Sequence, residues 1–594
     1  MTRRPGKAEG LAAAALALTL LLAACGPSDD NAETPPGGAA SAKHVTAACK
    51  APTPSGLPAG KVAPKTAASS PGGTPVVGGT LVDLQNFAGG PQDHIDPATA
   101  SVLQGAQISQ LLYDGLTEYD FTNPEDPVLK PAVAESFEPN DKADVWTFKL
   151  RKDVTYSDGT PVTASDFKCA WEQVMNPDLA SEIAYILEKI KGAKAVEEGK
   201  ATEIEGIVAD DAAGTLTVTL EQPFADFAGV VSHPVFSPKP RAKVAETATP
   251  ADFEKNIMIG NGPFKMTKAW SGEDQEVVLE RNDKYWGGIE GHLAYLDKIQ
   301  FKVSKDQDSA YTDFEGGNGQ TAYIPSGKFK EATGKYGHST DPTLGSYFFG
   351  INQENEQVGG PKNLKLRQAI SLAIDRQGIN DAVYDGSRRM PTGLTPSGLV
   401  GFKSGLCGEY CPATPNVDRA KQLIDQWKSE GGSLSGPIKL NFNAGSGHED
   451  LINMVVANLT AVGLEVEPDP RDSKQYFSEM RKGDCVVCRL GWIWDYPLMD
   501  NGIAAQLDSR SIDGDNIARL KDPEIDKLID QARAETDDDK RAELYQQAEK
   551  RGLDAMAVMP ITWYNGQIVY TDKVTNLVQT PLQFVLYESL WLKS

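Results

Sequence analysis

Histidine and cysteine are the side chains best suited to metal ligation and nucleophilic chemistry near neutral pH, and this chain uses both sparingly: six histidines and seven cysteines in 594 residues. His44, His94, His233, His292, His338 and His448 lie far apart and show no metal-ligand spacing. There is no H-E-x-x-H, no Walker A loop, no G-x-S-x-G elbow and no G-x-G-x-x-G after a strand, so the residues point to no catalytic centre, metal or cofactor. Acidic residues abound, and counting them does not rule out paired-carboxylate chemistry. Two cysteine pairs are close, Cys407-Gly-Glu-Tyr-Cys411 and Cys485-Val-Val-Cys488. They read either as a four-thiolate zinc site or as local disulfides, and the compartment decides between the two.

The N-terminus supplies that compartment. Arg3, Arg4 and Lys7 precede an apolar run, Leu11 to Leu22, that falls short of the about 20 residues a bilayer span needs and reads as a signal peptide over residues 1–24. Leu22-Ala-Ala-Cys25 followed by Gly26 resembles the lipobox of bacterial lipoproteins, so Cys25 is expected to be the lipidated first residue of the mature chain. Arg3-Arg4 permits twin-arginine export, but Pro5 and Gly6 suit it poorly, and the export route stays open. An exported chain favours disulfides over zinc at the close pairs. Cys169, in a predicted helix, reads as a buried free thiol or the partner of an unassigned cysteine; the connectivity among Cys49, Cys169, Cys407, Cys411, Cys485 and Cys488 is left open. From residue 25 to about 75 the sequence is rich in Ala, Pro, Gly, Ser and Thr with few large apolar side chains, as in a disordered tether with a reach of roughly 40 Å. Folding is expected to start near Val76.

Length and charge bound the rest. About 150 residues per domain makes 594 a multidomain body. Hydrophobic residues at 40% and charged residues at 24% are globular values. Lys plus Arg at 58 against Asp plus Glu at 82 gives a net charge of −24, which repels nucleic-acid phosphates.

Patterning then supplies the elements. Trp146, Phe148 and Leu150 alternate with polar residues as in a half-buried strand. Ser157-Asp-Gly159 turns the chain, and Thr163-Ala-Ser-Asp166 sets a capping box before Phe167, Ala170, Trp171 and Val174 at helical spacing. Leu216, Val218 and Leu220 predict another strand. Helical faces follow at Leu366–Ile374, Ala420–Trp427 and Leu451–Val462, and Leu464-Glu-Val-Glu467 resumes as a strand just after Gly463. Strands alternating with helices predict a mixed α/β class.

Several segments in the same order along the chain resemble the family 5 extracellular solute-binding proteins, the dipeptide and oligopeptide receptors of ABC importers. They are Leu129-Lys-Pro-Ala-Val-Ala-Glu-Ser-Phe137, Trp146–Val154, Tyr156–Asp166, Asn261-Gly-Pro-Phe264, Arg281–Trp286, Arg367–Arg376 and Asp522–Ile529. The resemblance covers nearly the whole folded body. It implies a two-lobe periplasmic-binding-protein-like fold with an extra domain on lobe one (cluster C type): lobe one from 76–121, 263–350 and 562–594, the extra domain at 122–262 and lobe two at 351–561. The signature over 129–166 reads as structural.

The binding residues implied lie in Arg489-Leu-Gly491-Trp492-Ile493-Trp494-Asp495-Tyr496-Pro497, similar to the family's G-W-x-x-D-Y segment. There the aspartate pairs with a peptide's α-ammonium, making Asp495 the main candidate. Arg489 would meet the ligand's carboxylate, Gly491 and Ile493 would pair with its backbone as with an added strand, and Trp492 and Trp494 would floor side-chain pockets, with Tyr496 beside them. The resemblance further implies no enzymatic activity, no cofactor, a monomer anchored by lipid alone to the outer face of the cytoplasmic membrane, and ABC permease and ATPase subunits as partners. Trp494 is bulkier than the small residue expected before that aspartate, which keeps a non-peptide solute (an oligosaccharide, a metal complex or another small molecule) as the alternative. A hydrolase is the remote one.

Overall fold

The capping box fixes the first well-defined unit. The Thr163 side chain and the Asp166 carboxylate bond reciprocally at the start of helix Ala164–Val174, and strand Val145–Leu150 buries every second residue ahead of it. That strand joins a four-stranded antiparallel sheet in the order 134–139, 145–150, 215–219, 207–210, whose apolar face packs on Phe167, Trp171, Phe227 and Phe236. This is the extra domain, and the signature residues serve it as strand, turn and cap.

The computed structural model describes residues 45–52, 74–88 and 94–593, apart from 122, 273, 275, 288–293 and 446. The expected signal peptide and Cys25 lie outside the described residues, as do His44 and His292. Beside the extra domain stand two α/β lobes. A seven-stranded sheet gathers strands from three distant stretches: Thr80–Ala88, five strands between 264 and 339, and Ile568–Tyr570. A five-stranded sheet runs Val466–Arg471, Ile438–Asn443, Val487–Ile493, Pro342–Ile351, Val558–Asn565. The predicted helices appear as Leu364–Ala373, Val417–Ser429 and Glu449–Ala461; they bury their apolar faces on this second sheet. No helix among the described residues is long and apolar enough to cross a membrane.

Two expectations are corrected. The boundaries at 350/351 and 561/562 cut through strands Pro342–Ile351 and Val558–Asn565, which pair with each other and belong to the second sheet. A backbone ladder cannot be divided there, so the second lobe starts near Pro342 and ends near Asn565. The stretch 25–75 is also not a tether throughout: Ala47–Lys50 forms a short helix, and Cys49 is disulfide-bonded to Cys169, with both residues buried. Cys169 is therefore no free thiol. Arg241 holds the same arm by donating to the Pro52 carbonyl at 2.9 Å while pairing with Asp211 at 2.8 Å. The close pairs form the local disulfides Cys407–Cys411 and Cys485–Cys488.

The Cys49–Cys169 bond links residues 120 apart in sequence, and a loop of that size constrains the unfolded chain strongly. The double variant Cys49→Ser, Cys169→Ser is expected to lose about 3 kcal/mol of stability in denaturant unfolding; a loss below about 1 kcal/mol would show that the arm is held by its side-chain contacts instead.

Candidate functional site

The run singled out in the sequence begins inside the second lobe's sheet and ends outside it. Strand Val487–Ile493 pairs antiparallel with Pro342–Ile351, placing Arg489 opposite Phe349, Gly491 opposite Tyr347 and Ile493 opposite Gly345. On its other side only Val487 and Cys488 pair with strand Ile438–Asn443. Among the described residues the edge from Gly491 to Ile493 therefore carries a strand partner on one side alone. Gly491 is needed at this point: a Cβ there would meet the Tyr564 hydroxyl at 2.4 Å. Ile493 is 45% exposed.

After Ile493 the chain leaves the ladder, turns, and enters helix Met499–Leu507. Asp495 sits in that turn, half-buried. Asn501, in the first turn of the helix, reaches back and organises it. Its Nδ2 donates to Asp495 Oδ2 at 2.8 Å, while its Oδ1 accepts from the Asp495 backbone N–H and from the Trp492 indole, both at 3.1 Å. The Tyr185 hydroxyl, from the extra domain, donates to the same Oδ2 at 3.0 Å. Tyr185 is 47% exposed, and its phenol, protonated at neutral pH, remains a donor. Asp495 Oδ1 has no hydrogen-bond partner among the described residues. The carboxylate is thus oriented through one oxygen and left with an open acceptor on the other.

Asp495 lines a cleft of about 1080 Å³. Six carboxylates border it, Asp114, Glu118, Asp120, Asp495, Asp572 and Glu588, against the two lysines Lys130 and Lys593. His233, also on its wall, is held below its ordinary pKa first by burial. The surplus of negative charge makes the cleft attractive to cations. Lys130 and Pro131 come from the signature block, so part of that block does face the cleft.

At the other end of the strand a second polar cluster forms. The Arg489 guanidinium lies 4.8 Å from the centre of the Tyr347 ring and donates to Asn443 Oδ1 at 3.1 Å. Arg388 lies over the Tyr564 and Tyr384 rings at 4.2 and 4.8 Å. Neither arginine has a carboxylate in salt-bridge range among the described residues, and the Nε of each is buried without a hydrogen-bond partner. The His448 ring touches Tyr347 at 5.7 Å. Burial, and next the charge on Arg489, lower its pKa to about 4, so it is neutral at pH 7. Two unpaired guanidiniums and a neutral imidazole suit an anionic group.

Of the seven residues expected in the site, only Asp495 lines the cleft. Trp492 and Gly491 are half-buried on the strand, with Trp492 tied to Asn501. Tyr496 is buried in the core of the extra domain together with Leu498. Trp494 departs from expectation: it is 2% exposed and packs with Ala106, Leu344, Leu399, Leu582 and Phe584, its ring close against Gly502. It fills the space where the lobes meet and does not line the cleft beside Asp495. Sequence patterning does not mark Tyr185, Asn501 or Arg388, and His448 reads as one lone histidine among six. Among the described residues no group of His, Cys, Asp and Glu side chains is placed to hold a metal ion.

The model for bacterial extracellular solute-binding proteins, family 5 (middle region), matches residues 128–514. The oligopeptide-binding protein OppA of Bacillus subtilis is 27% identical over 510 residues, covering 84% of this chain and 90% of its own. The fold is similar to that of the murein tripeptide-binding protein MppA in its unliganded open form, with a TM-score of 0.71 at 24% identity over 88% of this chain and 99% of that one. It is also similar to Haemophilus influenzae OppA in complex with the peptide RPPGFSPFR, with a TM-score of 0.67 at 26% identity over 87% and 99%.

The burial of Trp494 has a measurable consequence. Trp494→Ala is expected to cost about 3–5 kcal/mol in denaturant unfolding, the range for a large core side chain; a cost under about 1 kcal/mol would return the residue to a pocket wall.

Proposed function

The chain belongs to the family 5 bacterial extracellular solute-binding proteins, and from that premise we propose that it captures oligopeptides between its two lobes and delivers them to the permease of an ABC importer. ATP is hydrolysed by separate subunits, and this chain performs no chemistry on its ligand. The observation that carries the reading is the Asp495 carboxylate, oriented by Asn501 and Tyr185 through Oδ2 and open at Oδ1 on an acidic cleft. A peptide α-ammonium supplies the missing donor. Charge-assisted bonds of this kind are roughly twice as strong as neutral ones, and a partner left unpaired in a closed cleft costs several kcal/mol, so the site selects a free N-terminus.

The rest of a peptide can follow the strand. The one-sided edge at Gly491–Ile493 offers backbone groups to an extended ligand, and the Arg489–Arg388–His448 cluster offers a place for its carboxylate. Arg489 and Ile493 are four residues apart on a strand, roughly 13 Å, which a peptide of about four extended residues spans. Hinge closure of the lobes would bury such a ligand.

The protein is read as a monomeric lipoprotein on the outer face of the cytoplasmic membrane, held by acyl chains on Cys25.

Asp495→Asn is expected to weaken binding of a peptide with a free α-amino group at least tenfold, about 1.4 kcal/mol, in titration calorimetry, with an unchanged circular dichroism spectrum. Equal affinity of the variant and the parent would remove the assignment and favour an oligosaccharide or other neutral solute, to which this change is indifferent.

A further inference from the structure

Beside the Tyr185–Asp495 bond and the packing of Tyr496 and Leu498, the second lobe touches the extra domain through a set of charges that lie outside the ligand cleft. Asp226, at the rim of the extra domain, pairs with Arg541 of helix Asp538–Asp554 at 2.8 Å, their side chains 7% and 11% exposed. One residue earlier the Ala225 N–H donates to the Arg533 carbonyl at 2.8 Å. The Arg533 guanidinium donates in turn to Asp500 at 2.7 Å, and Asp500, 1% exposed, also accepts from the Tyr545 hydroxyl at 3.0 Å. Lys189 of the extra domain approaches Asp500 at 3.8 Å. Lys189 and Arg533 both lie over the Phe224 ring, at 5.1 and 5.9 Å.

We propose that this contact, Lys189 and Asp226 on one side and Asp500, Arg533 and Arg541 on the other, is a latch that assembles as the lobes close and sets how long a bound ligand is retained. It rests on the reading of a closing cleft. Three features carry it. The contact joins two bodies with separate sheets, while Tyr496 and Leu498 of the second lobe pack into the extra domain's core beside it. Its charged part suits a reversible joint, because charged groups can be rehydrated each time the joint opens. Finally, it is wired to the ligand site. Asp500 and Asn501 are neighbours in the first turn of helix Met499–Leu507; the first holds the latch and the second holds Asp495. Occupancy of the carboxylate and seating of the latch therefore act on one helical turn. Burial pushes the Asp500 carboxyl up, but Arg533 and Lys189 more than offset this and keep it below its ordinary value, whereas burial raises Asp226 to about 6 against the opposing charge of Arg541.

The test uses Asp226→Asn and Arg541→Gln in the full chain. With trialanine as the probe, stopped-flow tryptophan fluorescence is expected to show release at least tenfold faster in each single variant, and in the double variant no faster than in Arg541→Gln, which removes the shared pair together with Arg541's own contacts to Asp538 and the Glu535 carbonyl. The ratio of affinities for trialanine and N-acetyl-trialanine should not change, which separates a latch from damage to the Asp495 site. The charge-swapped pair Asp226→Arg, Arg541→Asp should recover part of the residence time, which a misfolded variant would not. Small-angle scattering of the ligand-free protein reads closure without any peptide, and both single variants should have a larger radius of gyration than the parent. Release rates and radii unchanged from the parent would overturn the latch. If the parent itself binds no trialanine, the peptide reading fails and the scattering comparison alone decides the latch.

Discussion

A carboxylate fixed in direction before any ligand arrives is the constraint on which the site depends. Asp495 stands at the point where a sheet strand ends and a helix begins, and its orientation is imposed by Asn501, which also grips the backbone amide of Asp495 and the indole of Trp492. One side chain thus locks strand end, turn and carboxylate together. Because Tyr185 arrives from the extra domain, the full coordination of that carboxylate exists only while the extra domain and the second lobe are in contact. Recognition and domain geometry are in this sense one problem.

The surrounding packing explains why the turn can be held so firmly. Trp494, next to the carboxylate, is buried among side chains drawn from the helix at 103–112, the strand at 342–351 and the C-terminal segment near Leu582 and Phe584. Its bulk is tolerated because Gly502 leaves room for the ring. Tyr496 and Leu498 enter the extra domain's core on the other flank. Aspartate is therefore the polar interval in a segment otherwise anchored by large side chains, and rigid neighbours of this kind keep the cost of ordering the site low when a ligand binds.

Much of the fold was legible in the sequence where local chemistry was strong. The Thr163–Asp166 capping box, the alternation over Trp146–Leu150 and the helical faces at 366, 420 and 451 all rest on interactions within a few residues, and each recurs in the structure. Long-range relations were less accessible. Nothing local at Cys49, within a stretch of small residues, signals a bond to Cys169, and the two strands shared across the expected lobe boundary look no different in sequence from any other strands. In the site, Asp495 stood out through its segment. Its partners Asn501 and Tyr185 did not, because an asparagine in a helix's first turn reads as local polarity and nothing local links a tyrosine to a carboxylate 310 positions away. Trp494 differs from its expected place for a related reason: an aromatic beside a candidate binding carboxylate has the same signature whether it walls a pocket or plugs a junction.

The central claim, an oriented carboxylate awaiting a cationic chain end, is tested most directly by titration calorimetry of the unaltered protein with matched ligands, trialanine and N-acetyl-trialanine, which differ only in the ammonium. The expected result is clear binding of the first and a loss of at least tenfold, about 1.4 kcal/mol, for the second. Equal affinity for the two would contradict the account.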